Sequence, residues 1–113
     1  MKYRNEIWLA DLNPQIGSET GKVRPVLIIQ TDFLNEYGHN STIICPITTK
    51  VKNAEYIRVF IKGGTCGISE DSDIMVDQIR TIDNSRFIKK LGQIPSEKHK
   101  LVETYLKAVL DLE

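Results

Sequence analysis

The stretch GSETGKVRPVLIIQ, Gly17 to Gln30, decides how the rest of this sequence folds, because a charged loop runs there directly into an apolar strand. Its glycines are typical of a loop, and the apolar run after the Arg-Pro pair is typical of a strand buried on both faces. Pro25 belongs at the start of that strand, since proline cannot donate a ladder hydrogen bond. The turn itself needs only glycines, so the dense charged residues suggest a functional loop.

The bulk composition indicates an ordinary globular chain. With 113 residues, 41% of them hydrophobic and 27% charged, it fits a single domain over residues 1–113. The N-terminus does not resemble a signal peptide, and no apolar run approaches the ~20 residues of a membrane span. We therefore expect a soluble, cytoplasmic protein with no membrane partner.

Charge and cysteine content narrow the function classes. The formal net charge of zero argues against a general nucleic-acid coat protein but permits a local basic patch. Cys45 and Cys66 form no CxxC pair, and with two scattered histidines they do not predict a zinc site. We expect no metal and no other cofactor. Cys45 lies in an apolar run and is predicted to be a small buried side chain.

Several short strands precede one late helix. The strands are predicted at Glu6–Asp11, Arg24–Gln30, Thr42–Thr48 and Tyr56–Ile61, within Asp73–Asp83, and in KKLGQI, residues 89–94. Pro46 suggests that the third strand is an edge strand or carries a bulge. The connector before Gly38 has room for one helical turn.

The last eighteen residues change to helical periodicity. An apolar stripe recurs there at helical spacing, with Ser96 as a plausible N-cap. Its members are Leu101, Val102, Tyr105, Leu106, Val109 and Leu110. The order of elements predicts a small, barrel-like α+β domain, in which a C-terminal α-helix lies on a strongly bent sheet.

The charged loop and the end of the third strand offer residues suited to cleaving RNA without a metal. That reaction needs a base for the 2′-hydroxyl, positive charge for the phosphorus centre and neutralisation of the leaving 5′-oxygen. The loop supplies Glu19, Lys22 and Arg24, and the strand end PITTK supplies Thr48 and Thr49. If the second and third strands pair antiparallel, Arg24 lies near Thr48.

Three blocks in order, WLADLNPQIGSETGKVRPVLIIQ, CPITTK and DQIRTID, resemble the MazF/PemK family of toxin endoribonucleases. The resemblance covers nearly the whole chain. It implies an SH3-like small barrel with a C-terminal helix, which forms a homodimer. It also implies metal-independent cleavage of single-stranded RNA at a short sequence, and neutralisation by a cognate antitoxin protein.

The resemblance also assigns residues. Arg24 matches the catalytic arginine of the family, Thr48 its catalytic threonine and Glu19 its loop acid. Candidate RNA-binding residues are Ser18, Lys22, Thr49, Gln78 and Arg80. The last two alternate with Ile79 in DQIRTID and are therefore expected to share one face of a strand.

Other interpretations remain open at the level of the sequence. The main alternative is a non-catalytic toxin of the same fold that binds DNA gyrase, although the intact Arg24 and Thr48 argue against it. A family member that has kept only binding, or an unrelated small barrel, would also fit parts of the pattern. Taken singly, Arg24 fits a surface arginine, and Thr48 fits a β-forming residue at a strand end.

Overall fold

Antiparallel strands and two α-helices make up the part of the chain that the computed structural model describes, residues 2–18 and 21–113. In chain order the elements are β1 (Glu6–Asp11), β2 (Val23–Ile28), α1 (Asp32–Tyr37), β3 (Ser41–Thr48), β4 (Arg58–Ile61), β5 (Ser72–Met75), β6 (Arg80–Asp83), β7 (Phe87–Gln93) and α2 (Ser96–Val109). Short 3₁₀ turns separate β5 from β6 and β6 from β7. The predicted α+β class and C-terminal helix are confirmed.

The strands form one strongly bent sheet in the order β4-β5-β3-β2-β1-β7, with β6 also paired to β3. Strand β3 is the branch point, because one of its edges pairs with β2 while the other pairs first with β6 and then with β5. Among the described residues no pairing joins β4 to β7. The predicted barrel is therefore an open, bent sheet rather than a closed one.

Pro46 lies inside the sheet, so of the two predicted alternatives, an edge strand or a bulge, the edge strand was wrong. It pairs with Val26 of β2 on one side. On the other side the pairing with β6 ends at Ile44 and the pairing with β5 begins at Ile47. Pro46 falls in the gap between these partners, where the N–H that proline lacks is not required.

The predicted strand within Asp73–Asp83 is in fact two strands. A 3₁₀ turn, Val76–Gln78, separates β5 from β6, and Val76 is fully buried with its N–H donated to the Ile57 carbonyl at 2.9 Å. Because of this break, β5 pairs with the C-terminal end of β3 and β6 pairs with its N-terminal half. Gln78 and Arg80 therefore do not share one face of a strand, contrary to prediction.

Apolar side chains fill both faces of the sheet. The helix-side cluster includes Ile7, Leu27, Cys45, Ile47, Val59, Ile74 and Val102, and the opposite cluster comprises Ala10, Leu12, Val26, Ile28, Ile44 and Ile82. Strand β2 contributes to both clusters, as its continuous apolar run predicted. Cys45 is buried as predicted, and burial, together with the charge of Asp77, raises the pKa of its thiol to about 12.

Helix α2 covers the helix-side cluster with its predicted apolar stripe. Five members of the stripe contact the cluster, while Leu110 is exposed. The helix begins at Ser96, but its N-cap is Pro95 and no side chain caps it, so the prediction of Ser96 as the N-cap was wrong. In the part of the chain that the structure describes, neither helix is long and apolar enough to cross a membrane.

A buried carboxylate ties β1 to the neighbouring edge strand β7. Glu6 accepts hydrogen bonds from the Trp8 indole at 3.0 Å and the Tyr3 amide at 2.9 Å, and it lies 3.0 Å from the Lys90 ammonium. Burial alone would raise the pKa of Glu6. The hydrogen bonds from Trp8, Tyr3 and Lys90 outweigh burial and hold that pKa below its ordinary value of 4.5.

We expect Glu6→Gln to lower the free energy of unfolding by about 1–2 kcal/mol at pH 7, since charge-assisted hydrogen bonds are stronger than neutral ones. Because the pKa of Glu6 is lower in the folded than in the unfolded protein, its carboxylate stabilises the fold at a pH above the unfolded pKa. The difference in unfolding free energy between wild type and variant therefore has its full size above pH about 4.5. It disappears as the pH falls through the folded pKa. Urea unfolding of both proteins at pH 7 and at successively lower pH measures it, and a difference that does not diminish as the pH falls would contradict the assignment.

Candidate active site

The beginning of β2 and the end of β3 meet at one cleft of about 460 Å³. These strands pair antiparallel, with Val26 opposite Pro46, which is the condition under which the sequence placed Arg24 near Thr48. The cleft is lined by Gln15, Ser18, Gly21, Lys22, Val23, Arg24, Pro25, Ile47, Thr48, Thr49, Lys50, Lys52, Arg58 and Met75. The structure thus brings five of the eight sequence-predicted site residues to one place: Ser18, Lys22, Arg24, Thr48 and Thr49.

The Arg24 guanidinium is held in one orientation by backbone carbonyls. Its Nε donates to the Gly21 carbonyl at 2.9 Å, and its Nη1 lies 3.5 Å from the Ile47 carbonyl. Burial lowers the pKa of Arg24, yet an arginine stays protonated in proteins. No carboxylate of the described residues forms an ion pair with it, so its charge is available to an anion in the cleft.

Thr48 ends β3 with its hydroxyl engaged as an acceptor. The Lys50 amide donates to the Thr48 Oγ1 at 3.2 Å, and the Val51 amide donates to the Thr49 carbonyl at 3.0 Å. These bonds fold the chain sharply after the strand and leave Thr49 and Lys50 exposed. No acceptor for the Thr48 hydroxyl hydrogen is found among residues 2–18 and 21–113, so that hydrogen can be donated to an oxygen in the cleft.

The base of the charged loop is anchored to the residues that directly follow β1. The Lys22 amide donates to the Asn13 Oδ1 at 2.9 Å, and the Lys22 carbonyl accepts from the Leu12 amide at 2.9 Å. Arg86 holds the same segment by donating to the carbonyls of Asp11 and Asn13. Lys22 has a φ of 72° and an exposed side chain at the cleft. Glu19, the candidate loop acid, lies outside the described residues.

Gln78 and Arg80 are not among the residues that line the cleft. Gln78 ends the 3₁₀ turn after β5, and Arg80 pairs with Ile44 in the middle of β3. Their side chains are half-buried. RNA contact by these two residues therefore stays a prediction.

The lining includes two cations, Lys52 and Arg58, that the sequence reasoning did not select. Arg58 alternates with buried Val59 in β4. This alternation indicates that Arg58 faces away from the core, but it does not indicate which surface of the protein Arg58 meets. Together with Lys22, Arg24 and Lys50 these residues give the described lining five cations and no carboxylate. A chain with no net charge thus concentrates positive charge at one cleft, which suits a polyanion.

Within the described ranges, 2–18 and 21–113, no three His, Cys, Asp or Glu side chains are grouped so as to hold a metal ion. The chemistry visible in the cleft is therefore that of a fixed guanidinium, a hydroxyl and surrounding ammonium groups. These groups can bind phosphate oxygens and stabilise negative charge that develops on them.

Sequence comparison places this chain near known toxins. Residues 3–110 match the family model described as the PemK-like, MazF-like toxin of type II toxin–antitoxin systems. Endoribonuclease EndoA of Bacillus subtilis (strain 168) is 37% identical over 110 residues, which are 96% of this chain and 94% of the relative. Endoribonuclease MazF of Staphylococcus saprophyticus is 37% identical over 113 residues, 99% of this chain and 93% of the relative.

Solved structures share the fold. MazF from Deinococcus radiodurans matches with a TM-score of 0.84 at 22% identity, covering 98% of this chain and 97% of that one. A MazE–MazF structure from the same organism matches with a TM-score of 0.79 at 23% identity, covering 99% and 97%. At these identities the likeness concerns the fold alone.

Proposed function

The chain belongs to the PemK-like, MazF-like family of toxins of type II toxin–antitoxin systems, and we propose that it is a sequence-specific, metal-independent endoribonuclease acting on single-stranded RNA. RNA cleavage and neutralisation by a cognate antitoxin follow from the family. The recognition of a short sequence, the preference for unpaired RNA and the independence of metal are the proposed features. The observation that carries the proposal is the meeting of Arg24 and Thr48 in one positively charged cleft.

Arg24 acts on the phosphate at the cut. When the 2′-oxygen attacks phosphorus, the bond to the 5′-oxygen breaks, and negative charge builds on the phosphate oxygens. The guanidinium, oriented by the carbonyls of Gly21 and Ile47, meets that charge without having to reorganise. The Thr48 hydroxyl donates to a phosphate oxygen, and Glu19 is proposed as the loop acid that assists proton transfer. The products are a 2′,3′-cyclic phosphate and a 5′-hydroxyl.

Ser18, Lys22 and Thr49 bind the RNA around the cut, since they line the same cleft as Arg24. Gln78 and Arg80 contact the RNA beyond the cleft. An unpaired strand suits such a site, because its base edges and faces are accessible to side chains.

The proposed assembly is a homodimer of a single domain, residues 1–113, that works in the cytoplasm. The antitoxin inhibits by folding onto the RNA surface, with acidic groups in place of phosphates. Solved structures similar in fold include an endoribonuclease from a mycobacterial species in complex with its cognate antitoxin, and MazE–MazF from Deinococcus radiodurans. Those complexes support the antitoxin as the partner.

The test is cleavage of a long, mostly unpaired RNA in EDTA. We expect discrete fragments with the ends named above, at the same rate in EDTA and in magnesium. Thr48→Val keeps the shape of the side chain but removes its hydroxyl. It should lower kcat by about 10–100-fold, the value of one hydrogen bond to a charged group.

Thr81→Val is the matched control, because Thr81 is an exposed threonine of β6 outside the cleft, and its cleavage rate should equal that of the wild type. Cleavage that needs added magnesium would contradict the metal-independent mechanism. No cleavage of several varied RNAs by the folded wild type would contradict the nuclease assignment. Binding to DNA gyrase would then be the next activity to test.

A further inference from the structure

The guanidinium of Arg58 has two nitrogen atoms that, in the described part of the chain, lack a hydrogen-bond acceptor. Within the described residues its Nε and Nη1 are buried without a hydrogen-bond partner. The nearest carboxylate oxygen is the Oδ2 of Asp73, 3.6 Å from Nη1, and that oxygen already accepts from the Lys52 amide at 2.7 Å. Buried donors without partners are rare in folded proteins, and each needs an explanation.

The position of Arg58 relates it to the proposed active site. Strand β5 pairs with β3 through Asp73 opposite Thr48, and with β4 through Met75 opposite Arg58. Arg58 and Lys52 therefore border the cleft that holds Arg24. Asp73 is 1% exposed, so its carboxylate positions the Arg58 guanidinium from the buried side.

Arg58 and Lys52 also line a second groove of about 420 Å³. The two residues therefore lie between this groove and the active-site cleft. The remaining lining residues of the second groove are Asn53, Ala54, Glu55, Phe60, Asp73, Lys98, Leu101 and Tyr105. Phe60 is 40% exposed, and the Lys98 ammonium lies 6.0 Å from the centre of its ring. Cations interleaved with an exposed aromatic ring are typical of surfaces that bind single-stranded nucleic acid, where bases stack and phosphates are neutralised.

From this junction we propose that Arg58 and Lys52 form a second phosphate-binding site. It binds a phosphate of the RNA beyond the scissile one and directs the strand from the active-site cleft into the groove over Phe60. The Arg58 side chain keeps 13% of its area exposed, and through that exposed part it donates to an incoming phosphate oxygen. The inference rests on the proposed function, because it takes single-stranded RNA as the ligand.

The test uses an RNA with the cut site mapped for the wild type and blocked there by a 2′-O-methyl group. Its Kd is measured by fluorescence anisotropy at several salt concentrations. We expect Arg58→Met to raise Kd about tenfold or more, as the loss of a charge-assisted contact implies. The plot of the log of the association constant against log salt concentration has a negative slope. The magnitude of that slope should decrease by about 0.7, the value for one phosphate of a single strand.

Lys107→Met is the matched control, since Lys107 is an exposed lysine of α2 that lines neither groove. It should leave both the Kd and the salt slope unchanged. Shortening the RNA from one of its two ends should abolish the difference between the wild type and Arg58→Met, because the phosphate bound by Arg58 is then absent.

Arg58→Met leaves buried Asp73 without its cation, so folding is checked by circular dichroism. If that variant does not fold, Arg58→Met with Asp73→Asn and the exposed change Lys52→Met replace it, with the same expected decrease in slope. A wild type that cuts RNA, together with folded variants of unchanged Kd and slope, would overturn this inference alone, even if they bind an acidic antitoxin peptide less well. A wild type that neither cuts nor binds RNA would overturn the proposed function as well.

Discussion

Changing Arg24 to lysine is expected to lower kcat/KM for RNA cleavage by about 10²–10³-fold, the cost of removing one preorganised donor from a charge-stabilising site. The structure shows why charge alone is insufficient. Arg24 uses Nε and Nη1 to reach the carbonyls of Gly21 and Ile47, while the rest of its planar fork remains for phosphate. A lysine has a single ammonium group on a flexible stem and cannot be fixed by the backbone and also present a fork.

The matched control is Arg4→Lys. Arg4 also donates to a backbone carbonyl, that of Ile29, and pairs with Glu103, but it does not line the cleft. The same chemical change there should leave cleavage within about twofold, with only a small effect on stability. Measurement of kcat and KM separately for the three proteins decides the point. An Arg24→Lys protein that cuts at the wild-type rate would show that positive charge without orientation is enough.

The second large effect is on folding, from Gly67→Ala in the loop after β4. Gly67 has a φ of +82°, and a Cβ added there would lie 2.0 Å from the Leu91 carbonyl oxygen and 2.5 Å from its carbon. These are backbone atoms of β7, so they cannot move without disturbing the pairing of β7 with β1. Overpacking and a left-handed backbone together should cost about 3–5 kcal/mol.

Gly64→Ala in the same loop separates the two contributions. Gly64 has a φ of +86°, but a Cβ added there would meet nothing within 4 Å. Only the backbone cost of about 1–2 kcal/mol should appear. Urea unfolding measures both variants, and equal losses would contradict the steric argument. Because Gly67 also lines a cavity of about 350 Å³ beside Thr48, any folded Gly67→Ala protein should have altered cleavage as well.

The core of the candidate site could be predicted because it depends on short-range features. Arg24 and Thr48 stand at the ends of two apolar runs, and one antiparallel pairing is enough to bring those ends together. The apolar stripe of α2 was equally readable from its spacing. The cleft is also lined by Ser18, Lys22 and Thr49, which are close in sequence to Arg24 or Thr48. Glu19 lies outside the described residues.

The errors arose where local pattern and tertiary demand differ. The alternation of Gln78, Ile79 and Arg80 favours a strand, but a 3₁₀ turn at Val76–Gln78 interrupts the pairing with β3 before β6 resumes it. Arg58 was passed over because its alternation in β4 shows only that it faces away from the core. Which cleft it meets depends on β4 pairing with β5, and β5 with β3.

The sequence by itself determined most of the strand segments, which face of the final helix is apolar, and that an arginine and a threonine stand at the ends of two strands beside a charged loop. These features follow from side-chain period and chain direction, which act over a few residues. Only the tertiary structure decided that the sheet stays open and that β3 pairs with three strands around Pro46. It also decided that Arg58 contacts buried Asp73 beside the cleft. Such features depend on contacts between residues far apart in the chain, whose choice rests on packing the whole sheet at once.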